Sequence, residues 1–508
     1  MIPLLVRTSL IALLVSFAAA YMPQNKSSVT AGIASHGNKV YRLEKVIKFP
    51  GTYYFTPMTV CDRFGAFGYI SKTKPTPQEV AAEKKRISRI IEGTIRREYG
   101  TLANWEMANK KIAGQTAAAM KQGMPAWVKS ILPPELVQEA LPLLLKGALL
   151  YAVHSGDSTE PYGNLGETGI VLVDSSGQAD KIRLGLDEAV VSLDFSPDGR
   201  RLAVLTDLGY EDRSGRYHAA GRISLVDTAA HRVIRQWVFA NAVHEVKFTP
   251  DGKALTFLMR NPKKWREKAI RFIDIDSGKM LPKSLLFHCA DATGDFYGMK
   301  RRALCYTFAP DFNTLVIRQG GKLGFYDAKT LGKRFETAGS GTFISFAHHA
   351  PLLFEESGRL IDYAKGILLR KLQDPLHIGF VDAAFTPDDS RLLVSDHFRK
   401  IFVFDPLSGR KIAETRFPAR DGAALFELSN DGRWIITPQP VANRYARYGS
   451  IKRRKNDLHI VDSRSLQTVQ RISLPKNETL LAFETVGEHL FFSDFDTIYL
   501  YKEIRRSK

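Results

Sequence analysis

The sequence predicts an all-β chain of repeated four-stranded units, and two recurring phrases and the spacing between them carry that prediction. The first phrase, FSPDGRRLAVLTD from Phe195, returns as FTPDGKALTFLMR from Phe248, FAPDFNTLVIRQG from Phe308 and FTPDDSRLLVSDH from Phe385. The second is a short run rich in Ile, Val, Leu and Phe, closed by an aspartate and turn formers: GIVLVDSSG, GRISLVDTA, AIRFIDIDSG, KLGFYDAKT, GRLIDYAKG, KIFVFDPLSG and DLHIVDSRS. A β-type run with a basic start, such as HRVIRQWVF or RKIAETRF, usually follows it. Each unit therefore reads strand, turn, strand, loop, strand, turn, strand. A period of about 40 to 50 residues with four strands per unit is that of a β-propeller, in which packing neighbours around a ring buries both faces of every sheet.

Turn chemistry accounts for the conserved-looking punctuation without any catalytic role. In Ser196-Pro197-Asp198-Gly199 the proline presets one torsion, the aspartate can bond backbone amides and the glycine takes a positive φ. The aspartates closing the second phrase, Asp174, Asp227, Asp274, Asp327, Asp362, Asp405 and Asp462, do the same at the next turn.

Six complete units run roughly over 190–239, 243–287, 302–337, 341–373, 379–417 and 422–474. The C-terminus supplies three more strands, LLAFETV, HLFFSDF and IYLYKEI. The missing outer strand is expected upstream in KVYRLEKVIKFPG, Lys39 to Gly51, which would close the ring and remove a free sheet edge. Another blade starts at YYFTPMTVCD and resumes after residue 147, which gives eight blades; seven, with the N-terminal strands outside the ring, is the alternative. The first blade is interrupted over 75–146, where Val80, Ile87, Ile91, Ile95, Tyr99 and Leu102 recur at helical spacing and further helices are expected over 104–122 and 134–146.

The phrases FSPDG, FTPDG and FTPDD, with LVDSSG, FIDIDSG and VFDPLSG, resemble the YVTN and WD-repeat-like propellers of bacteria over about residues 40 to 503. The resemblance implies the fold and leaves the function open, because that family includes scaffolds, binding proteins and some enzymes.

The N-terminal MIPLLVRTSLIALLVSFAAA has a basic residue, an apolar run from Ser9 to Phe17 and small residues before Tyr21, the pattern of a signal peptide over 1–20. A flexible segment over 21–38 and the propeller over 39–508 follow, and a periplasmic or secreted protein is expected; an uncleaved anchor is the alternative. The formal charge of +19 favours anionic partners. An exported chain is not expected to meet nucleic acid. The partner expected is a protein or an anionic component of the envelope, with peripheral membrane association as a further option. Of three cysteines, Cys289 and Cys305 bracket a short segment that a disulfide could close; three inert buried thiols are the other reading.

No GxSxG elbow, no GxxxxGK[ST] loop and no CxxC occur, and the twelve histidines are scattered apart from His348-His349, so no catalytic residue, metal ligand or cofactor is assigned. Channel carboxylates such as Glu245 and Asp382 leave a propeller hydrolase or lactonase as the alternative function. The candidate binding residues lie instead in two loops joining second to third strands. One, Pro438 to Asp457, carries Arg444, Tyr445, Arg447, Tyr448, Lys452, Arg453, Arg454 and Lys455 with no acid before Asp457. The other, RNPKKWREK, carries Lys263, Lys264, Trp265 and Arg266. Guanidinium groups chelate carboxylate or phosphate, lysines add field and aromatic rings anchor, so a scaffold with a basic, aromatic loop face is the expected function.

Overall fold

The computed structural model describes residues 40–48, 52–61, 63–71, 76–101, 103–104, 166–186, 188–211, 217–260, 267–288, 305–319, 321–339, 343–372, 380–396, 400–416, 426–439, 457–473, 482–493 and 497–504. They form eight four-stranded antiparallel sheets arranged as a propeller, each with its first strand innermost. Blade one comprises Thr52–Val60, Phe64–Ser71, Glu167–Asp174 and Ala179–Leu186. Blade two comprises Glu188–Phe195, Arg201–Glu211, Tyr217–Asp227 and Arg232–Phe239, and the same order repeats through blade seven, which ends at Thr468–Ser473. Blade eight takes Ala482–Val486, His489–Ser493 and Thr497–Glu503 from the C-terminus, and its outer strand is Tyr41–Lys48, paired antiparallel from Tyr41↔Glu503 to Lys48↔Thr497. The eight-blade count and the closing strand expected from sequence are therefore both present, and the seven-blade alternative is excluded.

The turns work as their residue types require. Ser196 donates its hydroxyl to Asp198 at 2.6 Å, and the same carboxylate accepts from the Arg200 N–H at 3.1 Å. Thr249 with Asp251, Thr386 with Asp388 and Ser429 with Asp431 repeat the first bond at 2.6–2.7 Å. These bonds hold the Asp388 carboxyl down at about 2, the Thr386 hydroxyl contributing most. All seven aspartates that end a third strand accept backbone N–H groups two to four residues on, for example Asp405 from Leu407 at 2.8 Å and Ser408 at 3.1 Å.

Between blades the core is aliphatic and aromatic. Ala203, Leu205, Ile223 and Leu225 of blade two meet Val243, Val246, Phe248, Leu255 and Phe257 of blade three, all buried. Inner strands are cross-linked by side chains: Asp194 accepts the Phe248 N–H at 2.7 Å, and Ser192 accepts the Val246 N–H at 3.3 Å. Both bonds join residues 54 apart in sequence, so the two inner strands run in the same direction.

Outer strands share a feature that the repeat phrases do not announce. In seven blades one extra residue interrupts the pairing with the third strand: Leu184, Ile234, Arg334, Leu369, Ile412, Val469 and Glu44. Blade three is irregular over 281–283. Such bulges bend an edge and discourage pairing with other chains. Here they also aim the following side chain at the next blade. Arg235 donates to the Ile275 carbonyl at 2.9 Å, Arg370 donates to the Leu407 carbonyl at 2.7 Å, and Phe335 lies against Gly366. Gly366 has φ +74°, and a Cβ there would stand 2.5 Å from the Phe335 ring, so the turn needs glycine for its torsion and for the ring packed on it.

The described helix, Pro77–Tyr99, leaves blade one between its second and third strands. Thr76 and Glu79 form a reciprocal capping box, Pro77 occupies the first turn and Gly100 ends the helix at φ +77°. Ile91 and Ile95 are fully buried against Leu208, Ala220 and Ala240 of blade two, which seats the insertion on that blade. The further helices expected over 104–122 and 134–146 lie almost wholly outside the described residues.

Candidate functional site

Strands alternate in direction within a blade, so all connections from second to third strand leave the same end of the ring, and the Pro-Asp-Gly turns occupy the other end. The helix Pro77–Tyr99 belongs to the first of these connections. The strands bracketing the two basic loops reach the same end, with Gln439 paired to Asp457 in blade seven and Arg260 paired to Lys268 in blade three. The candidate residues themselves, Lys263, Lys264, Trp265, Arg266, Arg444, Tyr445, Arg447, Tyr448, Lys452, Arg453, Arg454 and Lys455, lie outside the described residues.

Sequence reasoning missed what lies beneath that end. Buried polar side chains gather there, among them Glu188, Thr206 and Arg222 in blade two, Lys268 in blade three, Glu355 in blade five, Asp396 in blade six, and Thr437 with His459 in blade seven. Arg222 is 1% exposed and forms an ion pair with Glu188, which is wholly buried. The Thr206 hydroxyl donates to the Glu188 carboxylate at 2.7 Å, and the Thr168 hydroxyl of blade one donates to the Glu188 carbonyl at 2.6 Å. Gly185 packs directly on the pair, because a Cβ there would stand 2.3 Å from both Arg222 and Glu188. A buried pair of this kind gives little net stability, yet loss of one partner strands a charge. The sequence shows Glu188 with Asp194 in one strand and Arg222 with Asp227 in another, and periodicity does not tell which of these charges faces the interior.

Two further groups stand out. The Lys268 ammonium lies 4.0 Å from Cys305 Sγ, and Cys305 is engaged in a disulfide while Cys61 is a free thiol. Cys289, the partner the sequence suggests, lies outside the described residues. Asp207, beside Thr206 on the second strand of blade two, has its carboxyl pushed up to about 6 by burial.

The channel acids have structural employment. Asp382 accepts the Ala383 N–H at 2.9 Å and the Phe426 N–H of the next blade at 3.2 Å. Glu245 sits 3.5 Å from the Lys247 ammonium. Among the described residues no group of three His, Cys, Asp or Glu side chains could hold a metal. His348 and His349 are exposed in a turn, where their backbone N–H groups donate to Asp389 at 2.7 and 2.6 Å. No family model matches the chain, and no curated protein matches it.

Proposed function

We propose that this chain is an exported, non-enzymatic β-propeller that binds a protein or an anionic envelope component at the end of the ring where second strands connect to third strands. What supports the reading is that the strand pairs bracketing the two basic stretches of sequence, Gln439 with Asp457 and Arg260 with Lys268, end at the side of the ring from which the helix Pro77–Tyr99 leaves blade one. Eight blades closed by a terminal strand give a rigid platform, so loops there meet a partner at little ordering cost in the scaffold. The pattern of residues 1–20 supports export. A channel hydrolase is less well supported, since Asp382 is spent on backbone amides of two blades.

The test replaces Arg444, Arg447, Arg453 and Arg454 together by serine and compares partners captured from envelope extract. Loss of one or more partners is the expected result, and an unchanged set would remove the loop from the proposal.

A further inference from the structure

The helix Pro77–Tyr99 buries one side and leaves the other open. Ile91 and Ile95 are committed to blade two, and on the same side Thr94 is buried, its hydroxyl donating to the Ile90 carbonyl at 3.0 Å. The opposite side presents Lys85, Arg86, Arg89, Arg96 and Arg97, all exposed. Lys85, Arg89 and Arg96 are spaced so that they fall within about 40° of arc and run along about 16 Å of helix axis. On this side Gly93 has no side chain or other segment within 4 Å of the place a Cβ would take, so nothing overlies the helix there.

The acids of the helix do not balance this stripe. Among the described residues Lys85, Arg89 and Arg96 enter no ion pair and no side-chain hydrogen bond. Glu79 is held in the first turn by Thr76, whose N–H and hydroxyl both donate to it at 2.8 Å, and half-buried Glu92 is engaged elsewhere. Glu83 and Glu98 stand at least about a third of a turn from the stripe in the helical register. On the blades, by contrast, exposed cations are paired, as in Lys322 and Lys333 with Glu336, Arg334 with Asp327 and Lys411 with Glu414. Cations in the last turn stabilise a helix, which accounts for Arg96 and Arg97. Like charges four residues apart weaken one, so folding gives no reason for Lys85 beside Arg89.

We propose that this stripe docks an acidic helix of a partner protein, laid along the insertion helix so that its carboxylates meet Lys85, Arg89 and Arg96. The proposal rests on the reading of this end of the ring as the binding end, and it gives the partner its chemistry. Charge and spacing choose the occupant. A bilayer takes up a basic amphipathic helix through its apolar side, and here that side is already packed on blade two. A second copy of the chain would bring the same cations face to face, because an isologous contact opposes like with like. The exposed positions Ala82, Arg89 and Arg96 recur every seven residues, as do Arg86 and Gly93, which is the spacing a second helix can follow along its length. Ala82 and Gly93 leave room for its backbone, and the guanidinium groups beside them bind carboxylates.

Fluorescence anisotropy with the full chain tests it, using a labelled alanine-based peptide helix that carries glutamate at heptad spacing and, as second probe, a labelled polyphosphate of equal charge. Arg89→Glu with Arg96→Glu should weaken peptide binding about tenfold, because two attractions become repulsions, and Arg89→Gln with Arg96→Gln about threefold. The neutral pair keeps the test intact if the reversed pair lowers the melting temperature. Lys279→Glu with Lys329→Glu, in turns at the opposite end of the ring, makes the same change in net charge as the reversed pair and should bind as the parent does. Salt should weaken the binding. No binding of the peptide by the parent, or equal binding by the parent and the helix variants, would overturn the proposal. Stripe-dependent binding of polyphosphate in preference to the peptide would assign the surface to a phosphate polymer and overturn it equally. Peptide binding lost when Arg444, Arg447, Arg453 and Arg454 become serine, yet kept in the helix variants, would overturn the assignment to the helix and leave the wider reading standing. Binding lost in the helix variants, with the loop variant capturing an unchanged set of envelope partners, would support the stripe and remove the loop from that reading.

Discussion

Ring closure through the pairing of Tyr41–Lys48 with Thr497–Glu503 is reinforced by one side chain whose contribution can be isolated. Gln470, on the outer strand of blade seven and 4% exposed, accepts the N–H groups of Val40 and Tyr41 and donates to the Tyr41 carbonyl, each at 2.7 Å. It thus fixes the start of the N-terminal strand that completes blade eight. Gln470→Ala leaves three backbone groups buried without partners. At about 1 kcal/mol for each hydrogen bond the cost is about 3 kcal/mol. If that cost falls on local opening of the strand, amide exchange over residues 41–48 should accelerate about a hundredfold, since about 1.4 kcal/mol is a factor of ten. Hydrogen exchange read by mass spectrometry on the peptide spanning Tyr41 to Lys48 measures it, with a peptide from Arg201–Glu211 as the internal control. In a chain beginning at Thr52 the strand is gone, so the same substitution should cost less than about 1 kcal/mol in urea unfolding. Equal cost in both chains, or unchanged exchange over 41–48, would refute the assignment of Gln470 as the clasp.

Two other predictions rest on the buried polar end, beside the loop and peptide experiments above. Asp207 has a folded pKa of about 6 against an ordinary 3.8, so its contribution to stability is complete below about pH 4 and is lost as pH rises to 6. Asp207→Asn should remove that part of the pH profile and make the protein more stable above pH 6, by about 1 to 3 kcal/mol allowing for partial exposure; a profile unchanged between pH 4 and 7 would contradict it. Arg222→Met alone leaves Glu188 charged and buried and should destabilise by about 3–5 kcal/mol, whereas Arg222→Met with Glu188→Leu should recover much of the loss in denaturant titrations. A double variant no better than the single one would show that the pair is held for packing.

The fold was legible because its signals are local. Asp198, Asp388 and Asp405 act on amides within three residues, so the turn types could be read from a few letters each. Strand edges followed from the turns, and the blade count followed from the strands. The helix from Pro77 was legible for a similar reason, although its seat on Leu208 and Ala220 was not. The channel pair of Glu245 and Asp382 shows the limit from the other side. Two acids at repeat positions looked available for chemistry until Asp382 was found bonded to the amides of its own and the next blade.

By itself the sequence determined the repeat, the turns within each blade and the need for a terminal strand to complete the eighth. Only the tertiary structure decided what joins one blade to the next: the bulges that aim Arg235 and Phe335 across a boundary, the Glu188–Arg222 pair beneath Gly185, and the clasp of Gln470 on a strand some 430 residues away. The physical reason is range. A turn is stabilised by groups a few bonds apart and leaves a fixed spacing in the chain, whereas a contact between blades links residues whose separation is set by ring closure, and many side chains can fill such a place.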